Sequence, residues 1–547
     1  MSIQDFTITA AADSPLARAT TPRPEMHWSR WGDPNEAGPV SDSVRGLIDL
    51  FLGASDTPAV AADEVALSAP LAPELVAELA EIVGSENVSV ENGDRLLRTR
   101  GKSTPDLLKI RAGDGSESPD VVVRPANTAE IEALVAWCVR RHVALVPFGG
   151  GTSVVGGLVA DREGFEGVVC LDLMRLDRLI SVDRESMTAV LEPGLRGPQA
   201  EALLADQGLT LGHFPQSFEY ASIGGFAVTR SSGQSSAGYG RFDSMVLGMS
   251  MVTPKGVLEL GMSPSNAAGP DLREVVMGSE GTLGVVTAVR VRVRPVPEQR
   301  VYETWRFESF FEGAAAMRTL AQSGVMPTVL RLSDESESSI NLAKPTEIGG
   351  DTETQSGGVL MIVGHEGTPA AVAAKRAAVT MLLEGARGVC MGDEGGEAWA
   401  KDRFHGPYLR DSLLDIGVLV ETLETVTYWS RIQDVYAAVK EALVGALGEA
   451  TLVLCHISHV YETGCSLYFT VATKAAAEPL PQWMAAKAAA CDALIGHGAS
   501  ITHHHAVGRD HKPWLEGEIG AVGVDMLRAL KAELDPTGVL NPGVLIP

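Results

Sequence analysis

The sequence predicts an α+β protein. Three observations carry this: short apolar runs closed by Gly or Pro, helical stretches between them, and Val alternating with Arg from Val289 to Arg294. Alternation of period two marks a half-exposed strand. Strands and helices mixed in this order indicate an antiparallel sheet flanked by helices in the second half of the chain.

The elements follow in order. Residues 1 to about 60 mix polar, Pro and Ala stretches, and Trp28 and Trp31 in "MHWSRWGDP" read as a surface staple onto the body. "DVVVRP" (Asp120–Pro125) is a short strand. The next segment places Ile131, Leu134, Val135, Cys138 and Val139 on one helical face, with Asn127 and Glu130 at N-cap spacing. "ALVPFG" (Ala144–Gly149) is a second strand. "GVVCLDLMRLDRLISVD" and "TAVLEPG" are strands with turns, and "EALLADQGL" is a short helix. From about residue 300, helices are expected at Phe307–Gly324 and Thr368–Ala386, and strands at Gly357–Gly367 and Cys465–Thr473. The stretch from Gly508 is helical and then turns.

With 547 residues the chain has room for two or three domains. Its net charge of −26 repels nucleic acid and anionic lipid as main partners, without excluding a local basic pocket. The six cysteines form no CxxC pair and read as reduced, mostly buried thiols of a cytoplasmic protein. No apolar run reaches the ~20 residues of a membrane span. The first twenty residues lack the apolar core of a secretory signal, and "VLIP" is no peroxisomal address. Peripheral membrane contact stays open.

Three separated loops are rich in Gly, Ser and Thr: Val146–Leu158 ("VPFGGGTSVVGGL"), Pro215–Gly248 and Gly278–Thr287. Glycine lets backbone N–H groups approach an anion. Gly151 and Gly156 have Walker A spacing, but Gly157 stands where the lysine is needed. The dinucleotide fingerprint fails as well, because Val154 replaces its third glycine. Three such loops suit a long polar ligand with a diphosphate and a ribityl chain.

"PFGGGTS", "SIGGFAVTRSSG", "GSEGTLGVVT" and "LDPTGVLNPG" resemble the FAD-binding domain of the p-cresol methylhydroxylase/vanillyl-alcohol oxidase (PCMH-type) flavoproteins. Together with "MHWSRWGDP", "PYLRDSLL", "VYETGCSLYF" and "THHHAVGRDHKPWL", the pattern is similar to the alkyldihydroxyacetonephosphate synthases over almost the whole chain. The resemblance implies an α+β architecture: an N-terminal extension (1–117), a PCMH-type FAD-binding domain (118–298), an α+β cap with an antiparallel sheet (299–500), and a C-terminal segment (501–547) returning to the flavin. It implies non-covalent FAD, since the glycine loop holds no histidine. Pro147, Gly149, Gly150, Gly151, Thr152 and Ser153 fall at the diphosphate. Gln216, Ser217, Ser222, Gly224, Thr229, Ser231 and Ser232 line the rest of the cofactor path, with Gly278, Glu280, Gly281, Thr282, Gly284 and Asn541. His213 is either near the cofactor or structural.

The resemblance makes Tyr468 a general acid/base, although a strand tyrosine by itself more often packs. Tyr461 reads as such a core tyrosine. In an extended run His503 and His505 would share one side and His504 the other, with no nearby Asp, Glu or Cys to complete a metal set. The resemblance instead lines all three along the flavin, and no metal is expected. Arg410 matches the substrate-binding arginine; read alone it is a surface residue paired with Asp411 or Asp415. Arg331 is a further anion-binding candidate. The implied reaction exchanges the acyl chain of acyl-dihydroxyacetone phosphate for a fatty alcohol, the flavin N5 holding the substrate carbon meanwhile, in a small-molecule or lipid-like substrate site of a homodimer. The rival is an FAD-linked oxidase or dehydrogenase of a D-2-hydroxy acid or other alcohol. Against its metal-dependent branch, "CHISHVYETGCSLYF" keeps His456 but lacks the Gly-Asp-Gly-Asn core and has Tyr468 in place of the second histidine.

Overall fold

The first sheet grows from three runs too apolar to face water on either side. Val121–Val123, Ala144–Phe148 and Val168–Asp172 pair in parallel, and their residues are almost all buried. Such continuous apolar runs suit parallel strands covered on both faces. The helix Thr128–Arg141 crosses between the first two. Its N-cap forms as expected: the Asn127 side chain accepts from the Glu130 N–H, and the Glu130 carboxylate accepts from Ala126. Val88–Ser89 adds an antiparallel fourth strand. The computed structural model describes residues 16–36, 38, 40, 45, 46, 48, 52, 53, 55–340 and 357–547. The leader reading of residues 1–15 lies outside the described residues.

A six-stranded antiparallel sheet follows, in the order Ala17–Arg18, Arg178–Asp183, Thr188–Leu191, Val285–Arg292, Val246–Thr253, Gly256–Leu260. The Val/Arg alternation does what its period requires: Val289 and Val291 are buried, while Arg292 on the opposite face is exposed.

A seven-stranded antiparallel sheet makes up the second half. Its order is Val389–Gly392, Gln299–Phe307, Val359–Gly367, Val329–Ser333, Leu452–Ile457, Gly464–Lys474, Val418–Tyr428. One face packs against four helices, Phe310–Ser323, Pro369–Gly385, Ile432–Leu447 and Pro479–Gly496, around Trp305, Phe469 and Trp483. The period of two turns the other residues of these strands to the opposite face. In register there, His456 pairs Tyr468 and Tyr468 pairs Glu424; Leu454, Thr470 and Thr422 form the next row; Leu452, Ala472 and Val420 the one after. The face therefore changes from polar to apolar along its strands.

The last residues return to the first sheet. Leu540 bridges Leu145 in parallel, and the Asn541 N–H donates to the Leu145 carbonyl at 2.8 Å. Near the other terminus Trp31 is no surface staple. It is buried with Met26, Tyr220 and Tyr408, and its N–H donates to the Asp411 carboxylate.

Phe469 is fully buried in the helix-packed face of the seven-stranded sheet. Phe469→Ala is expected to lower stability by about 3–5 kcal/mol through lost burial and the cavity left behind, measured as a shift of the urea midpoint.

Candidate active site

A cavity of about 910 Å³ lies between the three small-residue loops and the polar-to-apolar face of the seven-stranded sheet. This is the upper end of the ~300–1,000 Å³ range of small-molecule sites. Pro147, Gly149, Gly150, Gly151, Thr152 and Ser153 line it, as do Gln216, Ser217, Ser222, Gly224, Thr229, Ser231, Ser232, Glu280, Gly281 and Gly284. Gly278, Thr282 and Asn541 stand behind this wall. Asn541 braces it, its amide donating to the Gly157 carbonyl (3.1 Å) and the Glu280 carbonyl (2.7 Å). Thr282 turns inward to the Ser279 carbonyl.

The loop has the build of an anion cradle. Among the described residues, the backbone N–H groups of Gly150, Gly151 and Thr152 find no acceptor. A Cβ on Gly150 would collide with the Tyr220 carbonyl, and Gly151 holds φ +71° with the Phe148 ring 2.8 Å from where a Cβ would stand. Both positions thus exclude side chains. Unspent amide donors on a loop that must be glycine fit a diphosphate, and the long polar wall beyond it fits the remainder of FAD. FAD is the cofactor.

Glu280 ties this wall to the C-terminal turn. Its carboxylate accepts from the N–H groups of Val507 and Gly508 at 2.9–3.0 Å. Burial pushes its pKa up to about 7. His213 is structural: it is buried behind the wall, with Nε2 3.1 Å from the Ser231 Oγ and its ring edge-on to Phe226.

Across the cavity stand Tyr468, His504, His505, Arg331 and Arg410. The histidine run is not extended. Residues 502–506 form a turn whose N–H groups at His503, His504 and His505 all point to one buried carboxylate, Glu424, at 2.5, 3.1 and 2.9 Å. The Thr502 hydroxyl donates to it as well, at 2.7 Å. A carboxylate is therefore at hand where none was expected. Glu424 is held well below the usual carboxylate range despite its burial, because any charge arising on the neighbouring histidines, with the Thr502 hydroxyl, favours its ionised form. Burial in turn lowers all three imidazoles, His505 to about 4. They are neutral at pH 7 and able to accept a proton.

His503 lies in the layer behind. Its Nε2 is 2.5 Å from the Tyr461 hydroxyl and its Nδ1 2.9 Å from His504 Nδ1. Tyr461 is thus no core strand residue: it sits in the turn before Gly464–Lys474 and steadies the histidines. His459, which no periodicity singled out, lines the cavity. Its Nδ1 lies 2.7 Å from the Ser236 Oγ and 3.0 Å from the Ser232 Oγ, and its ring stacks on His503 at 4.8 Å. One ring nitrogen each from His459, His503 and His504 lies within 4.8 Å of the others. Hydroxyl and imidazole partners already engage these rings.

Tyr468 stacks on its cross-strand neighbour His456 at 4.7 Å and meets His505 edge-on at 5.7 Å. Burial pushes its hydroxyl up to about 12. His456 Nδ1 is 3.1 Å from Glu337, whose other oxygen takes Arg331. His456 and the Arg331 guanidinium together bring the buried Glu337 down to about 2. Arg410 is no surface residue. It pairs with Asp411 at 2.8 Å, donates to the Lys102 carbonyl at 2.6 Å, and its side chain is 10% exposed. Asp415 instead takes Arg30 and Arg111.

The remaining length is apolar: Ile48, Leu52, Leu409, Leu413, Val418, Val420, Leu452, Leu454 and Ala472 line the cavity beyond the Tyr468 row. All six cysteines are free, and only Cys390 is exposed. Among the described residues no helix is long and apolar enough to cross a membrane.

Fold and cavity define a flavoprotein of the FAD-linked oxidase class. The families described as "FAD binding domain" and "FAD linked oxidases, C-terminal domain" match residues 119–261 and 296–545. The alkyldihydroxyacetonephosphate synthase of Dictyostelium discoideum is 31% identical over 96% of this chain and 94% of its own. That of Trypanosoma brucei brucei is 32% identical over 86% and 80%. A solved alkyldihydroxyacetonephosphate synthase structure superposes with a TM-score of 0.80 at 29% identity, covering 95% of this chain and 98% of its own. The chain belongs to the alkyldihydroxyacetonephosphate synthase family, within the PCMH-type flavoproteins.

Two outcomes test the cofactor wall. Gly150→Ala should yield folded protein with most of its flavin lost, read from the absorbance released on denaturation; full flavin content would contradict the cradle. For Glu280 the folded state binds the proton more tightly than the unfolded one, so its contribution is full below about pH 4.5 and declines as pH rises to about 7. Wild type should therefore lose more stability than Glu280→Gln between about pH 5 and about pH 7.5, measured by urea unfolding.

Proposed function

We propose that the protein is an FAD-dependent alkyldihydroxyacetonephosphate synthase: it replaces the acyl chain of acyl-dihydroxyacetone phosphate with a fatty alcohol in ether lipid synthesis. The observation that carries this is the register of one sheet face. The His456–Tyr468–Glu424 row passes within two rows to Leu452–Ala472–Val420 in the same cavity as the flavin wall. A polar headgroup and a long chain can lie there side by side, whereas a short hydroxy acid has no use for the apolar half.

When bound, FAD supplies an electrophilic ring. The protein handles protons and position. The neutral imidazoles of His504 and His505 accept the proton removed from the carbon bearing the ester. Tyr468, which keeps its proton at neutral pH, donates a hydrogen bond to the departing oxygen, which leaves as the fatty carboxylate. The entering alcohol gives up its hydroxyl proton, and the histidine returns the first proton to the substrate carbon. Arg410 holds the carboxylate of the leaving fatty acid through its planar fork, and Arg331 fixes His456 through their shared partner Glu337. Glu424 and His503 keep the histidine turn in place. The apolar row excludes water and seats the chains one after another.

On this reading the chain divides into an extension (1–117), the FAD domain (118–298), the cap (299–500) and the returning segment (501–547). The enzyme works as a homodimer in the cytoplasm, meeting a membrane surface to collect its water-insoluble substrates.

The test is exchange of labelled hexadecanol into acyl-dihydroxyacetone phosphate by the flavin-loaded enzyme. Tyr468→Phe should lower the rate about 10²–10⁴-fold with flavin content unchanged. Rapid bleaching of the flavin by a D-2-hydroxy acid under anaerobic conditions, without acyl exchange, would replace this reading with the oxidoreductase one.

A further inference from the structure

Arg403 differs from the other two arginines of the cavity. Arg331 shares Glu337 with His456, and Arg410 is paired with Asp411. Arg403 lines the same cavity and, among the described residues, forms no ion pair. Aromatic rings hold it instead. Its guanidinium carbon lies 5.0 Å from the Phe214 ring, 4.9 Å from Phe404 and 5.8 Å from Trp399. Nε and Nη1 are sealed with no acceptor, and the one side-chain partner among the described residues, the Tyr302 hydroxyl, already gives its proton to Glu366. Glu366, the carboxylate whose charge reaches it, is engaged elsewhere. Glu366 accepts from the Tyr302 and Tyr239 hydroxyls, each at 2.7 Å, one on each oxygen.

Its surroundings contain further unused polar atoms. The Gln234 Oε1 and His405 Nδ1 are buried without partners. Gln234 donates through Nε2 to the Arg403 carbonyl at 3.1 Å, which fixes the arginine against the flavin wall two residues from Ser232. The Tyr468 end of the cavity has the opposite character. Glu337, Asp411, Glu421 and Glu424 stand there against Arg331, Arg410 and Lys102. A doubly charged phosphate gains little beside cations that carboxylates already neutralise. A planar guanidinium with two sealed N–H donors unmet by any protein acceptor, and with aromatic rings rather than a carboxylate against it, is prepared for phosphate.

We propose that Arg403, carried on the turn between the helices Glu394–Asp402 and Gly406–Leu414, is the phosphate-recognition residue of the three-carbon substrate, with the aromatic clamp of Phe214 and Phe404 as its positioning device. This rests on the synthase reading for the identity of the substrate, not for the presence of the anion site. It leaves Arg410 and Arg331 to the carboxylate and to His456.

The experiment compares flavin-loaded wild type, Arg403→Met and Arg403→Lys, using perturbation of the flavin absorbance by dihydroxyacetone phosphate, dihydroxyacetone and inorganic phosphate. In Arg403→Met the Kd for dihydroxyacetone phosphate and for inorganic phosphate should rise about 10- to 100-fold, with dihydroxyacetone binding unchanged. The KM for acyl-dihydroxyacetone phosphate should rise with it while kcat changes little, and Arg403→Lys should recover part of the loss. Flavin content must stay at the wild-type level in both variants. Loss of flavin in step with phosphate affinity would assign Arg403 to the cofactor diphosphate and overturn the proposal, as would unchanged phosphate binding in Arg403→Met. Wild type that binds inorganic phosphate through Arg403 yet exchanges no acyl chain would leave the anion site standing and remove only the synthase reading.

Discussion

One carboxylate organises the reacting end of the cavity. Glu424 sits on the seven-stranded sheet, yet its oxygens take three consecutive N–H groups and a hydroxyl from the Thr502–His505 turn. Such a turn has no regular hydrogen bonding of its own, and buried amides without partners are costly. The charge of Glu424 answers all of them at once. It fixes the imidazoles beside Tyr468, its own cross-strand neighbour, and it tolerates burial only because the turn closes over it. Sheet and turn are therefore mutually dependent, and the acid/base groups are set by backbone contacts rather than by contacts among themselves.

The same sheet also sorts polar from apolar substrate parts. Strand geometry spaces successive same-face residues by roughly 7 Å, so two rows separate Tyr468 from Ala472. Across the cavity, the cofactor wall contributes small residues and backbone, a surface that a long flavin nucleotide can follow closely. The N-terminal residues join the site from outside: Trp31 and Lys102 secure Asp411 and Arg410 from the side opposite the sheet.

Much of this was legible in the residues. The helix at Asn127, the Val/Arg strand and the strands around Gly357–Gly367 and Cys465–Thr473 follow from periodicity and capping, which are local. The three Gly/Ser/Thr loops announced a long polar ligand because packed cores do not use such composition. What stayed hidden depends on distant partners. Nothing near His503 in the sequence points to Glu424, seventy-nine positions earlier. Tyr461 looked like a packing residue because its partner His503 lies on another segment. Arg410 looked exposed because the residues that bury it come from the N-terminal part. His459 stands three residues from His456 in "CHISHV", a signal that becomes readable only when Ser232 and Ser236 are seen to face it.

The brace formed by Asn541 has a consequence for how the protein matures. Its amide clips together the Gly157 and Glu280 carbonyls, two loops more than a hundred residues apart. Until that side chain emerges from the ribosome the dinucleotide groove has no rear support, although both sheets that frame it are already made. The groove is therefore complete only when the last few residues of the chain have joined loops made long before them.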